Sequence, residues 1–119
     1  CIAGGRRYFH INNKGDVEPC VFVHFAVDSI YEKSLLEILK TSPLFRAIRS
    51  RQPYGENLLR PCMIIDHPHV LREVVRESGA NATHAGAEKI LDELSQPLDD
   101  YAERYARIAD EAWQDERTF

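Results

Sequence analysis

A chain of 119 residues with 44% hydrophobic and 29% charged residues has the size of one compact domain and a composition that excludes disorder. Its net charge of -4 conceals an imbalance: nine Lys/Arg stand against six Asp/Glu up to Cys62, and six against thirteen after it. The acidic second half argues against a nucleic-acid binder, and no apolar run approaches the roughly 20 residues of a bilayer span. A domain of this size buries enough surface to fold without a disulfide or a metal. The chain opens on Cys1 and not on Met, so a longer parent protein is the expectation. No signal-peptide pattern is present, and the sequon Asn81-Ala82-Thr83 is read as a chance tripeptide.

The first elements read as a hairpin. Arg7 to Ile11 are strand formers, Asn12-Asn13-Lys14-Gly15 is a turn cluster, and Asp16 to Phe25 reads as a second strand with Val17, Val21, Val23 and Phe25 on one face. Pro19 makes it an edge or bulged strand. Tyr8 and Phe9 are read as hairpin core. Ser29-Ile30-Tyr31-Glu32 is a capping box, so a helix is expected from about Asp28 to Lys40. Ser42 caps a second helix with Pro43 at its first position, and Gln52 to Pro61 is a loop. A third helix starts near Pro68 and stops at Gly79. A fourth is expected from about His84 to Leu94. The last begins at Pro97, with Leu98, Tyr101, Tyr105, Ile108 and Ala112 spaced 3, 4, 3, 4 as an inward stripe. The expected fold class is α+β: an N-terminal two-stranded antiparallel β-hairpin followed by four or five α-helices.

Chemistry concentrates in three cysteines, Cys1, Cys20 and Cys62. An odd count does not make a disulfide framework. A turn at residues 12–15 folds the second strand back along the first, so Cys1 and Cys20 can approach, and the loop before Cys62 is long enough to return there. Three converging thiolates form a soft site suited to zinc or an iron–sulfur cluster. Three cysteines buried as ordinary core residues are the alternative. Zinc would need a fourth ligand, with His10, His24, His67 and His69 available, but no Cys-x-x-Cys pair is present.

The run Cys1…Gly15-Asp16-Val17-Glu18-Pro19-Cys20 places thirteen residues before the glycine and four after it. This spacing resembles the opening of the SPASM domain and its shorter relative, the twitch domain, which carry auxiliary clusters in radical S-adenosylmethionine (radical SAM) enzymes. Ile30 to Ile38, Ser42-Pro43-Leu44-Phe45 and Arg60-Pro61-Cys62 are similar to the elements that follow in that family. The resemblance covers residues 1–66, with 67–119 a helical C-terminal extension packed on it. A full SPASM domain is similar up to this point but then carries a further run of cysteines for two clusters; here the position three after Cys62 is Ile65, and no cysteine follows.

The resemblance therefore implies one auxiliary [4Fe–4S] cluster held by Cys1, Cys20 and Cys62. Its fourth iron would be open or bound by Asp66, His67 or His69. Arg6, Arg7 and Arg60 would offset cluster charge or meet an anionic group of a peptide or small-molecule substrate. Gly4 and Gly5 would either let backbone approach the cluster or form a flexible terminus. S-adenosylmethionine would be cleaved at another cluster, because the Cys-x-x-x-Cys-x-x-Cys motif is absent here. The implied partner is thus the radical SAM core domain of the parent protein, with a cytoplasmic location. No residue is assigned as a catalytic acid or base; the domain would anchor substrate or relay electrons. The alternative function is a small zinc-stabilised or metal-free interaction domain, with Tyr101, Tyr105 and Trp113 as anchors on an acidic helical surface. Hydrolase motifs are absent.

Overall fold

A computed structural model describes residues 1–117. Strands β1 (His10–Ile11) and β2 (Val17–Glu18) pair antiparallel, with His10 opposite Glu18 and Ile11 opposite Val17. The turn between them is held by the Asn12 carboxamide oxygen, which accepts the N–H groups of Lys14 (2.9 Å) and Asp16 (3.1 Å). Gly15 sits at φ +87°, where a side chain is strained, and a Cβ there would lie 2.5 Å from the Tyr31 ring. Residues 28–30 run back along this pair: Val17 N–H donates to the Asp28 carbonyl and Ile30 N–H to the Gly15 carbonyl, each at 2.9 Å.

The second strand is shorter than the sequence suggests. It stops at Glu18, because Pro19 offers no N–H to a ladder and the Val23 N–H turns back to the Cys20 carbonyl at 3.0 Å. Phe25 instead belongs to a separate strand, β3 (Phe25–Ala26). That strand pairs antiparallel with β4 (Asn81–Ala82), more than fifty residues away.

The helices follow: α1 (Leu35–Thr41), α2 (Pro43–Arg51), α3 (Pro68–Ser78) and α4 (Ser95–Arg117). Helix α1 starts later than expected. Ser34, not Ser29, caps it, accepting the Glu37 N–H at 3.2 Å, and Ser34-Leu35-Leu36-Glu37 repeats the Ser-x-x-Glu pattern. Ser29 forms a local turn, its hydroxyl accepting the Tyr31 N–H at 3.2 Å. Ser42 and Pro43 open α2 as expected. Gly79, left-handed at φ 67°, closes α3. The helix expected over 84–94 shrinks to a 3₁₀ turn, Ala87–Ile90, introduced by left-handed Gly86.

The core forms where α2 meets α3. Leu44, Phe45 and Ile48 are fully enclosed and face Leu71, Val74 and Met63, with Val17, Val23 and Phe25 closing the sheet side. Helix α4 packs with a face rotated from the one expected: Leu98 and Tyr105 of the stripe stay half-buried, with Tyr105 donating to the Leu59 carbonyl at 3.1 Å. Ala102 and Ala109 are buried, whereas Ile108 is 68% exposed and Tyr101 46%. Small residues let α4 lie close to the body, and Asn57 holds it there by donating to the Ala109 carbonyl at 3.0 Å. Among the described residues no helix is long and apolar enough to cross a membrane. Truncating Phe45 to Ala should cost about 3–5 kcal/mol of unfolding free energy. Ile108→Ser should change it by no more than about 0.5 kcal/mol. Denaturant titration separates the two, and a large loss at Ile108 would restore the stripe to the core.

Candidate metal centre

The N-terminal segment is clamped onto α2. Gly4 N–H donates to the Pro19 carbonyl at 3.0 Å, which ties the residues after Cys1 to the one before Cys20. Ala3 is fully buried, and its carbonyl accepts the Gln52 side-chain N–H at 3.0 Å. Arg49 donates to the Gly4 carbonyl at 3.1 Å and to the Leu39 carbonyl at 2.9 Å. A Cβ on Gly4 would come within 2.8 Å of Ile48 Cγ2, so glycine is required by close approach to a helix. The terminus is therefore ordered, and its glycines serve packing against α2.

Cys20 is buried and accepts the Tyr8 hydroxyl at 3.3 Å. Cys62 is half-buried at the start of a compact turn. Its Sγ accepts the Ile64 N–H at 3.3 Å, and its own N–H donates to Asp66 Oδ2 at 2.8 Å. None of the three cysteines is in a disulfide. Two tyrosines respond to these cysteines. The Tyr8 phenol is pushed up to about 12, first by its hydrogen bond to Cys20, then by burial and by the charge of Cys20 and Cys62. Tyr54 is raised as well, mainly by burial, with Cys62 and Cys20 adding to it. Both rings thus sense both sulfurs. Tyr8 is not hairpin core as expected: it is 42% exposed, with its hydroxyl on the sulfur, while Phe9 alone packs inward against Phe45 at 6.3 Å.

The donor set fits an iron–sulfur cluster on three counts. The sulfurs are free and soft. Two of them already accept N–H or O–H donors, as cluster thiolates do. The buried Tyr54 hydroxyl beside them has no hydrogen-bond partner, a donor that a charged sulfur would satisfy. A single ion fits less well. Among the described residues no three His, Cys, Asp or Glu side chains are arranged around one point, whereas zinc needs four donors at about 2.0–2.3 Å. A four-iron cluster is bulkier and spreads its thiolates further apart.

The other expected residues separate. Asp66 is buried with its carboxylate on the Cys62 N–H. His67 is buried with Nε2 at 2.9 Å from the Arg60 carbonyl, so that nitrogen carries the proton. His69 is exposed beside it, ring centroids 6.1 Å apart. Arg6 and Arg7 are exposed near Cys1. Arg60 points to α4, 3.5 Å from Asp110. Tyr8, Tyr54 and the Ile64 N–H escaped the sequence reading, because only the folded chain brings them to the sulfurs.

Burial holds the His67 imidazole below its ordinary value of 6.5. The unfolded chain therefore takes up this proton at a higher pH than the folded one. Stability from the neutral ring is complete above the ordinary value and is lost as pH falls through the lower folded one. His67→Gln keeps a donor for the Arg60 carbonyl and does not titrate. Denaturation midpoints measured from about pH 7 to about pH 5 should fall less steeply in the variant; an unchanged slope would remove His67 as the cause.

The model of the SPASM family, an iron–sulfur cluster-binding domain, matches residues 1–77, which runs from Cys1 through most of α3. No curated protein and no solved structure matches the chain. With cysteines, clamped terminus and helical core all inside the matched region, the chain belongs to the SPASM family of iron–sulfur cluster-binding domains.

Proposed function

We propose that Cys1, Cys20 and Cys62 hold one auxiliary [4Fe–4S] cluster and that the domain serves a radical SAM core carried elsewhere in the parent protein. The observation that carries this reading is the match of the SPASM family model to residues 1–77, which contain all three cysteines, and its support is that Cys20 and Cys62 each already accept an O–H or N–H donor. When bound, such a cluster supplies electron transfer or an open iron that orients a substrate's nitrogen or oxygen. The chain's own residues set the conditions. Ile64 N–H and the Tyr8 hydroxyl donate to the thiolates and stabilise their charge. The buried Tyr54 hydroxyl, which has no hydrogen-bond partner, is a further donor that a charged sulfur would satisfy.

Three thiolates leave one iron without a cysteine. Asp66 and His67 are engaged with backbone groups, which favours an open fourth iron over either as ligand; His69, exposed, is the remaining side chain. In this reading the exposed Arg6 and Arg7 would meet an anionic group of a peptide or small-molecule substrate. Residues 67–119 form the helical extension of the cluster-binding region. A cytoplasmic, reducing compartment suits three free cysteines. The zinc-site alternative is disfavoured by the lack of a single-ion arrangement among the described residues.

Anaerobic reconstitution with iron and sulfide tests the reading. About four irons per chain and a broad visible absorption are expected, as for any [4Fe–4S] centre. Cys20→Ala and Cys62→Ala should each abolish most of it while circular dichroism stays native. A folded, colourless chain that takes up no iron would overturn the proposal, and tight zinc at the cysteines would replace it with the interaction-domain reading.

A further inference from the structure

Two tyrosine hydroxyls lie beside the cysteines, and the fold holds both in place. The Tyr8 hydroxyl donates to Cys20 Sγ at 3.3 Å. The backbone around it is fastened: Arg7 N–H bonds the Ile2 carbonyl at 2.9 Å, and Gly5 N–H bonds the Tyr8 carbonyl at 3.0 Å. Residues 2–8 thus close a tight loop directly after Cys1. Phe9 anchors the next position by packing on Phe45, ring centroids 6.3 Å apart.

Tyr54 is brought by the loop after α2. Gln52 fixes the start of that loop by donating to the Ala3 carbonyl at 3.0 Å. The Tyr54 ring lies against His67, centroids 5.8 Å apart, and His67 in turn holds the Arg60 carbonyl at 2.9 Å. The Tyr54 hydroxyl is buried without a hydrogen-bond partner, and the charges of both Cys62 and Cys20 reach it.

A phenol keeps its proton near neutral pH and can donate it, as a hydrogen bond, to a thiolate. A hydroxyl buried without a partner is unfavourable, and a charged sulfur that accepts it removes that penalty. When an electron enters an iron–sulfur cluster, its thiolates carry more negative charge. Donors on the sulfurs therefore stabilise the reduced state more than the oxidised one and raise the reduction potential. The Ile64 N–H acts in the same sense at Cys62, but it belongs to the backbone.

We propose that the Tyr8 and Tyr54 hydroxyls set the reduction potential of the auxiliary cluster, each holding it above the value that the cysteines and the backbone alone would give. This inference rests on the cluster reading and goes beyond it, because holding iron needs only the thiolates. The rings of the two tyrosines serve packing; their hydroxyls serve the potential.

The test is an anaerobic redox titration of the reconstituted full chain, followed by the visible absorption of the cluster, with iron counted in every sample. Tyr8→Phe and Tyr54→Phe keep the ring and remove the hydroxyl, so packing survives. Each should retain about four irons. Each should lower the midpoint by roughly 30–60 mV, a three- to tenfold change in a one-electron equilibrium at about 59 mV per tenfold. Tyr31, 81% exposed beside Gly15, is the control, and Tyr31→Phe should leave the midpoint in place. An unmoved midpoint in either iron-loaded variant would overturn the proposal. So would an equal fall in Tyr31→Phe, or loss of the iron itself in Tyr8→Phe or Tyr54→Phe, which would make the hydroxyl a condition of assembly. A parent chain that takes up no iron fails the cluster reading itself, whereas loaded variants with unmoved midpoints fail this inference alone.

Discussion

A single backbone hydrogen bond, Gly4 N–H to the Pro19 carbonyl at 3.0 Å, decides where the chain's chemistry can sit. It joins the segment after Cys1 to the end of β2, and both then lie on α2. The bond exists because Gly4 takes φ +71° against Ile48, where a side chain would collide with Cγ2. Pro19 contributes by ending β2, which frees its carbonyl from any ladder and turns Cys20 toward Tyr8. Arg49 and Gln52, at the end of α2, then fasten the Gly4 and Ala3 carbonyls. Helix α2 is in this way both the centre of the hydrophobic core and the anchor of the segment that follows Cys1.

Features with a local cause were legible in the sequence. Ser42-Pro43 opens α2 and Gly79 closes α3, because capping depends on a few adjacent residues. The hairpin turn was legible from Asn12 and Gly15 for the same reason. What failed depended on distant partners. Phe25 alternates with Val17 in sequence, yet its strand partner is Ala82. Two Ser-x-x-Glu patterns compete within nine residues, and packing of Ile38 selects the later one. Over 84–94 the apolar spacing suggested a helix, but left-handed Gly86 at its start leaves only a short 3₁₀ turn.

The cysteine site divides along the same line. The cysteine spacing around Gly15 was visible as a pattern, and the family match covers it. The donors beside the thiols were not: Tyr8 looked like core, and Tyr54 was one residue of the Gln52–Pro61 loop that nothing singled out. The group of His10, His24, His84 and Thr83 around the buried Glu18 was less visible still. His10 and His24 were noted only as spare ligands and His84 only as the start of a helix, and Thr83 belongs to a tripeptide read as chance, 65 positions from the carboxylate it bonds. Glu18 and Cys20 flank Pro19, so the same break that ends the strand sends Glu18 to that group and Cys20 to Tyr8.

The charge imbalance between the halves also acquires a structural meaning. Acidic residues in the second half meet basic or amide groups in the first half or in α3. Arg72 holds both Asp99 oxygens, at 2.8 and 3.0 Å. Asp110 takes the Asn57 amide at 2.7 Å and Arg60 at 3.5 Å, and Arg51 pairs with Glu77. Partly exposed pairs of this kind contribute about 0–1 kcal/mol each, too little to hold a helix by themselves. What they can do is choose which face of α4 turns inward. An apolar stripe at helical spacing permits that face to be buried without requiring it. Ala102 and Ala109 allow a closer approach than Tyr101 and Ile108 would, and only that orientation brings Asp99 to Arg72 and Asp110 to Asn57. Amphipathicity alone therefore placed the inward face a fraction of a turn off, keeping Leu98 and Tyr105 but missing Ala102 and Ala109, and close packing with directional polar contacts selected the one observed.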